Sequence, residues 1–322
     1  MQEPSRRREE VPTVEYQAFG PPAVLQVIPV AVPAPGPHDV VVTVAACSVN
    51  RLDTAARAGR QKFLTGRRMP QRTGLDFSGT IVEVGSHVEG LREGQRVWGF
   101  LGTQHLGAHG AAAVQITVDA GLVAPAPSGN LTDLAALPLA GLTAGQAFDR
   151  LGVGSGSRIL ITGAAGGVGS VAVQMARARG AVVDTIAAPR YADLLQRLGV
   201  ASRCDPHAIP WTRMTGQYQA VLDTTGAHLW KLRRCVARTG AMVTISPAGL
   251  PMSFLSSIVP GPSVSFVSVR PSRDGLSALA DLVETGRLTP IIRARFPLAD
   301  IASAHAMVEG GHGEGKVIVD VS

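Results

Sequence analysis

Hydrophobic residues along this chain follow two rhythms. Up to about residue 120 they come in short, β-branched runs parted by glycine and proline: 24–32, closed by PAPGP; 39–46 (DVVVTVAA); 75–84 (LDFSGTIVEV), closed by Gly85; 96–100; and 111–118. Runs of this length with turn residues between them predict strands and a mainly β unit. A short helix is expected from the CSVNRLD segment to Ala58, a basic irregular loop over 59–72, and a polar, frayed arm over residues 1 to about 13. From about Leu131 apolar positions recur every three or four residues. Helices are predicted to start at 132–137 and to run over 140–151, 191–198, 229–236 and 276–285, most of them stopped by glycine. Between them lie strand-like runs at 158–162, 182–188, 218–223, 241–246 and 264–269. Strands alternating with helices predict an α/β doubly wound parallel sheet. The tail (291–296, 301–308, 316–321) returns to strand-rich text and is expected to complete the first unit.

The second unit is organised around 158–180, RILITGAAGGVGSVAVQMARARG. An apolar run leads into Gly163, Ala164, Ala165, Gly166, Gly167, Val168 and Gly169, and a helical pattern follows to Gly180. Strand, glycine turn and helix make the Rossmann arrangement that binds a pyrophosphate. The glycines permit a tight turn and close approach, and the helix offers unpaired N–H groups and the positive end of its dipole. The spelling departs from G-x-G-x-x-G, with Ala164 at the first glycine position if Gly166 and Gly169 are the second and third.

Composition narrows the classes. With 322 residues the chain has room for two cores, and 45% hydrophobic against 17% charged residues excludes a disordered chain. No apolar run approaches a membrane span, and MQEPSRRREE is not followed by the apolar segment of a secretory signal. Three scattered cysteines (Cys47, Cys204, Cys235) predict reduced thiols and a cytoplasmic protein. The net charge of +6 comes almost wholly from arginine, with lysine only at 62, 231 and 316. Aromatic residues are 4%, too few for a basic stripe interleaved with stacking rings, so no nucleic-acid partner is expected.

The end of the second strand selects the cofactor. An acid there holds the ribose hydroxyls of NAD, whereas an arginine accommodates the 2′-phosphate of NADP. Here the chain reads IAAPR: no carboxylate, and Arg190 at once after the strand. NADPH is therefore expected over NADH.

Several stretches in order resemble the medium-chain dehydrogenase/reductase superfamily, in its quinone oxidoreductase-like, enoyl reductase-like branch. They are SVN (48–50) with Asp53, Arg57 and Gly59; GLDFSG (74–79) with Gly85; GQRV (94–97); LPLAGLTA (137–144); the glycine turn; VLDTTG (221–226); and GKV (315–317). The resemblance implies a partly open, GroES-like β-barrel catalytic domain (1–122, completed by 288–322) around a Rossmann domain (123–287). It also implies NADPH in the cleft between them, a small-molecule substrate and a homodimer, with 264–269 as an edge strand able to pair across it. Asn50 is implied beside the nicotinamide and Thr143 along the cofactor, with Gly226, Ser246, Phe266, Val267 and Ser268 lining its other side. Zinc-dependent relatives carry Cys where this chain has Asn50 and His-Glu where it has Leu75-Asp76. No metal is expected, since zinc needs thiolate or imidazole ligands at fixed geometry.

The implied chemistry is hydride transfer from reduced nicotinamide to a quinone or to the β-carbon of an enone. The chain departs from the pattern where many relatives carry a tyrosine, here Ala55, and often a proline, here Arg51. The proton donor is left open among water, His105 and His109, with Asn50 orienting the substrate and Arg51 a possible substrate contact. The alternatives are a family member recruited to a non-redox cyclisation or elimination, and a catalytically silent NADPH-binding module. The loops 57–72 and 247–262, expected to border the cleft, do not specify a substrate.

Overall fold

A computed structural model describes residues 9–311 and 313–321. The chain opens with β1 (Glu10–Tyr16) and β2 (Gln26–Ala31), an antiparallel pair, followed by the long β3 (Asp39–Val49). Then come α1 (Arg51–Arg57), α2 (Lys62–Thr65), β4 (Gln71–Arg72), β5 (Asp76–Val84), β6 (Arg96–Phe100), β7 (Gln115–Asp119) and β8 (Val123–Pro125). The expectation of a frayed arm fails from Glu10 onward, and residues 1–8 lie outside the described residues. Val11, Val14 and Tyr16 are buried, and Glu15 is buried against Arg72 at 2.8 Å. The loop at 59–72 is less irregular than expected, since it carries α2 and pairs β4 with β1.

A second unit follows through α3 (Leu131–Leu134), capped by the Asn130 side chain, and α4 (Pro138–Leu151), ended by Gly152 at φ 62°. It continues as β9 (Arg158–Thr162), α5 (Gly167–Ala178), β10 (Val182–Ile186), α6 (Ala192–Arg197), β11 (Ser202–Cys204), α7 (Trp211–Met214) and β12 (Tyr218–Asp223). The rest is α8 (Leu229–Cys235), β13 (Val236–Thr244), α9 (Leu250–Leu255), β14 (Ser263–Phe266) and α10 (Arg273–Glu284). Strands β11-β10-β9-β12-β13-β14 form one six-stranded sheet, parallel throughout. Strand β9 is buried at four of its five positions, as expected for a parallel strand covered on both faces. The expected loop over 247–262 contains α9, and β11 and α7 were also not anticipated; all three are too short to show a period.

The chain then returns to the first unit with β15 (Ile292–Pro297), α11 (Ile301–Glu309) and β16 (Lys316–Asp320). Strand β16 pairs antiparallel with β3, so the tail is integral to the sheet β15-β16-β3-β5-β6-β8, with β7 also on β3. Val40, Val42, Phe77 and Val319 belong to a core within the first unit, and Phe148, Ile159, Ile161 and Leu222 to a larger one in the second that also takes in Leu75, Trp98 and Phe100 of the first. The architecture is the expected one, a parallel Rossmann-like sheet beside a GroES-like β unit.

Candidate active site

The glycine turn lies between β9 and the N-terminus of α5. Gly163 takes φ 62°, a left-handed conformation that suits glycine, and Gly166 N–H closes the turn on the Gly163 carbonyl at 2.9 Å. A Cβ at Gly169 would stand 2.2 Å from that carbonyl and 2.7 Å from Ala164 Cα, so helix and strand touch backbone to backbone here. Ala164 and Ala165 are buried. The cradle fits a dinucleotide pyrophosphate: a glycine turn leads into the start of a twelve-residue helix whose first N–H groups have no partner within the helix, with the Lys316 stem at its side.

The other expected cofactor residues fall along the same edge, the C-terminal ends of the parallel strands. Arg190 sits in the helical turn Pro189–Tyr191 just past β10, exposed, with its guanidinium 4.7 Å over the Tyr191 ring. Asp184, the acid within β10, is turned back toward the start of β9 and paired with Arg158 at 2.7 Å, so it does not reach the strand end. Gly226 follows β12 at φ 78°, and a Cβ there would meet Ser246 Oγ at 2.4 Å. Ser246 follows β13, Phe266 ends β14, and Val267 and Ser268 come next. In open α/β sheets this edge is where ligands bind. Thr143 lies in the middle of α4, buried, and its hydroxyl donates to the Leu139 carbonyl at 2.7 Å.

A buried carboxylate fixes this edge, although the sequence marks it only as part of VLDTTG. Asp223, fully buried, accepts from Thr162 Oγ1 at 2.8 Å, Thr244 Oγ1 at 2.9 Å, Thr225 Oγ1 at 2.9 Å and the Gly226 N–H at 2.9 Å. It therefore ties the ends of β9, β12 and β13 together directly behind the glycine turn.

The seam between the units holds a second cluster that motif reading missed. Lys316 opens β16, and its neighbour Gly315 donates its N–H to the Ala165 carbonyl at 2.8 Å, bridging to the glycine turn. The lysine stem lies against the first residue of α5, where a Cβ at Gly167 would stand 2.7 Å from Lys316 Cδ. Its ammonium turns into the β unit, donating to Asn50 Oδ1 at 2.5 Å and lying 3.5 Å from Asp76 Oδ2. Asp76 Oδ1 in turn accepts from Ser48 Oγ at 2.5 Å and Asn50 Nδ2 at 3.0 Å. Asp76 is fully buried, Lys316 6% exposed and Asn50 8% exposed. Asn50 is thus bonded at both ends of its amide rather than held out as a free donor.

Behind this cluster, Asp53 accepts from the Asn50 N–H at 2.8 Å and the Gly74 N–H at 3.1 Å, holding the start of α1 against the entry to β5. Burial, with the Asp76 charge nearby, pushes the Asp53 carboxyl up to about 7, against the pull of its hydrogen bonds from Asn50. Burial likewise raises the Cys47 thiol well above its ordinary value. His105 and His109 stack edge-on at 5.0 Å, with burial and His105 lowering His109 from its ordinary value; among the described residues no hydrogen bond joins either imidazole to the Asn50 cluster. Arg51 is exposed and reaches toward Gly311.

These residues do not suit a catalytic zinc ion. The positions in question offer an amide, the alkyl chain of Leu75, and a carboxylate already engaged by a hydroxyl, an amide and an ammonium. No group of three or more His, Cys, Asp or Glu able to hold a metal occurs among the described residues. Nor, among them, is any helix long and apolar enough to cross a membrane.

Comparison with known proteins agrees with this geometry. Residues 36–128 match the family model described as the alcohol dehydrogenase GroES-like domain, and 198–319 match that described as zinc-binding dehydrogenase. The chain is 30% identical to the 2-methylene-furan-3-one reductase of Solanum lycopersicum over 96% of this chain and 79% of that protein. It is 28% identical to a chloroplast quinone oxidoreductase of Triphysaria versicolor, covering 95% and 97%. The structure of the quinone oxidoreductase from Coxiella burnetii superposes with a TM-score of 0.89 at 27% identity, over 97% of this chain and all of that one. A glycine cradle at the strand ends, a β unit closed by both chain termini, and relatives of this kind place the chain in the medium-chain dehydrogenase/reductase superfamily, among its quinone oxidoreductase-like and enone reductase-like oxidoreductases.

Proposed function

We propose that the protein is an NADPH-dependent, zinc-independent reductase that delivers hydride to a quinone or an α,β-unsaturated carbonyl. The observation that carries the reading is the seam: the dinucleotide cradle abuts a buried cluster in which Asn50 and Asp76, held by Lys316, stand where metal-dependent relatives carry ligands. The bound cofactor supplies a hydride, and the protein supplies position and shielding. The glycine turn (163–169) holds the pyrophosphate; Arg190 holds the 2′-phosphate; Gly226, Ser246 and 266–268 line the strand-end wall; Thr143 flanks the cofactor from α4. Asn50, locked by Lys316 and Asp76, fixes the wall opposite the turn. Lys316 Nζ, bonded to Asn50 Oδ1 and beside Asp76, holds that wall in place.

Ala55, half-buried on α1, keeps a second reading open: with no tyrosine in its place, the site would bind NADPH for a non-redox cyclisation or elimination, or bind it without turnover. NADPH consumption with a panel of quinones and enones decides between them. Strand β14 is an edge of the parallel sheet, which supports a homodimer formed by strand pairing. The free cysteines fit a reducing, cytoplasmic setting.

A further inference from the structure

Resting on the NADPH reading, we propose that Arg203, on the edge strand β11, is the second arm of the 2′-phosphate site that Arg190 opens. The register sets Thr185 beside Arg203 and Ile186 beside Cys204, so Arg203 lies one residue short of the end of both strands. Its side chain runs forward over that end, and Nη1 donates to the Ala187 carbonyl at 3.0 Å. Ala187 is the first residue past β10, three before Arg190, and its own N–H donates to the Cys204 carbonyl at 3.0 Å. The guanidinium is therefore pinned under the loop that carries Arg190.

What surrounds it is short of negative charge. Buried arginines elsewhere are neutralised or saturated: Arg57 pairs with Glu309 at 2.7 Å, and Arg233 donates to the carbonyls of Val259, Pro260 and Pro262. Arg203 is half-buried, yet one carbonyl takes one of its N–H groups and no ion pair with a carboxylate is formed among the described residues. Among the described residues, Arg190 meets only the face of Tyr191. Asp184 is held away by Arg158, and Asp205, the residue after β11, turns Oδ1 back to the His207 N–H at 2.9 Å. Two guanidinium forks on one strand end, one anchored and one on an exposed turn, suit a phosphate monoester, which accepts paired N–H donors on several oxygens.

The test uses 2′,5′-ADP and 5′-AMP, which differ only in the 2′-phosphate, titrated calorimetrically into the wild type, Arg190→Ala, Arg203→Ala and Arg203→Lys. The wild type is expected to bind 2′,5′-ADP about tenfold or more tighter than 5′-AMP. Arg203→Ala should lose about tenfold or more of the 2′,5′-ADP affinity at unchanged 5′-AMP affinity, with Arg203→Lys, which keeps the charge but not the fork, falling between. If both Arg203 variants keep the wild-type preference while Arg190→Ala loses it, the role of Arg203 is overturned and the NADPH reading stands. Equal loss of both ligands would show that Arg203 only supports the loop, and overturns the role too. A wild type that does not distinguish the ligands sinks the NADPH reading and this inference with it.

Discussion

Replacing Lys316 with methionine probes the seam most sharply. Methionine keeps a stem against Gly167 but removes the ammonium, leaving the fully buried Asp76 carboxylate with Ser48 and Asn50 as its donors. Breaking a buried ion pair costs about 3–5 kcal/mol. An upper bound follows from the escape route, because the carboxyl group can take up a proton instead. From an unfolded value of about 3.9, that costs about 4 kcal/mol at pH 7 and about 1.5 kcal/mol at pH 5. Where the folded variant carries this proton and the unfolded chain does not, the deficit is small below about pH 4 and grows as pH rises. At about 2–4 °C per kcal/mol for units of this size, the variant should melt up to roughly 16 °C below the wild type at pH 7 and up to roughly 6 °C below it at pH 5. Thermal melts across this range measure the gap, and Asp76→Asn in the same background should restore most of it at pH 7. A gap that is the same at both pH values, or no recovery from the second substitution, refutes the reasoning.

Other perturbations test other parts. Arg190→Ala should weaken NADPH by about 1.5–3 kcal/mol and NADH far less; equal losses measured by fluorescence titration would contradict the 2′-phosphate assignment. Gly169→Ala forces a Cβ to within 2.2 Å of the Gly163 carbonyl, so the turn must open; cofactor binding should be lost and stability should fall by about 1–3 kcal/mol, and an unchanged titration would count against the cradle. His305 is buried and held neutral, lowered to about 3 by burial and by Arg57, whereas the unfolded chain protonates near 6.5. The folded state thus binds fewer protons, and stability is lost as pH falls from about 6.5 toward 3. The Asp53 carboxyl, raised to about 7, contributes the opposite slope over the same range; His305→Gln should therefore make the slope of melting temperature against pH between 4.5 and 6.5 less positive than in the wild type, and equal slopes would contradict it.

The glycine turn could be read directly because its residues answer local demands: Gly163 for a positive φ, Gly169 for backbone contact. Alternation of strands and helices likewise survived from sequence to structure in the parallel sheet. Strand β1 did not, because Glu10, Pro12 and Glu15 interrupt its pattern, and Glu15 is buried only through Arg72, far along the chain. The seam was hidden for a similar reason. Ser48 and Asp76 become neighbours through the antiparallel register of β3 and β5, and Lys316 meets Asn50 across 266 positions, once β16 pairs with β3. GKV and SVN were visible as separate motifs, but no spacing in the sequence joins them. The place of Arg190 just past a strand is visible in the sequence; that of Arg203 on the neighbouring strand is not, because β11 is only three residues long.

The central claim is tested most directly by titrating the purified protein with NADPH and NADH, then following the reduced-nicotinamide absorbance on adding a simple quinone or enone. The account predicts tighter binding of NADPH, followed by its oxidation with at least one acceptor class. Tight binding with no oxidation by any acceptor would contradict the reductase reading, and no binding of either cofactor would contradict the assignment of the glycine turn itself.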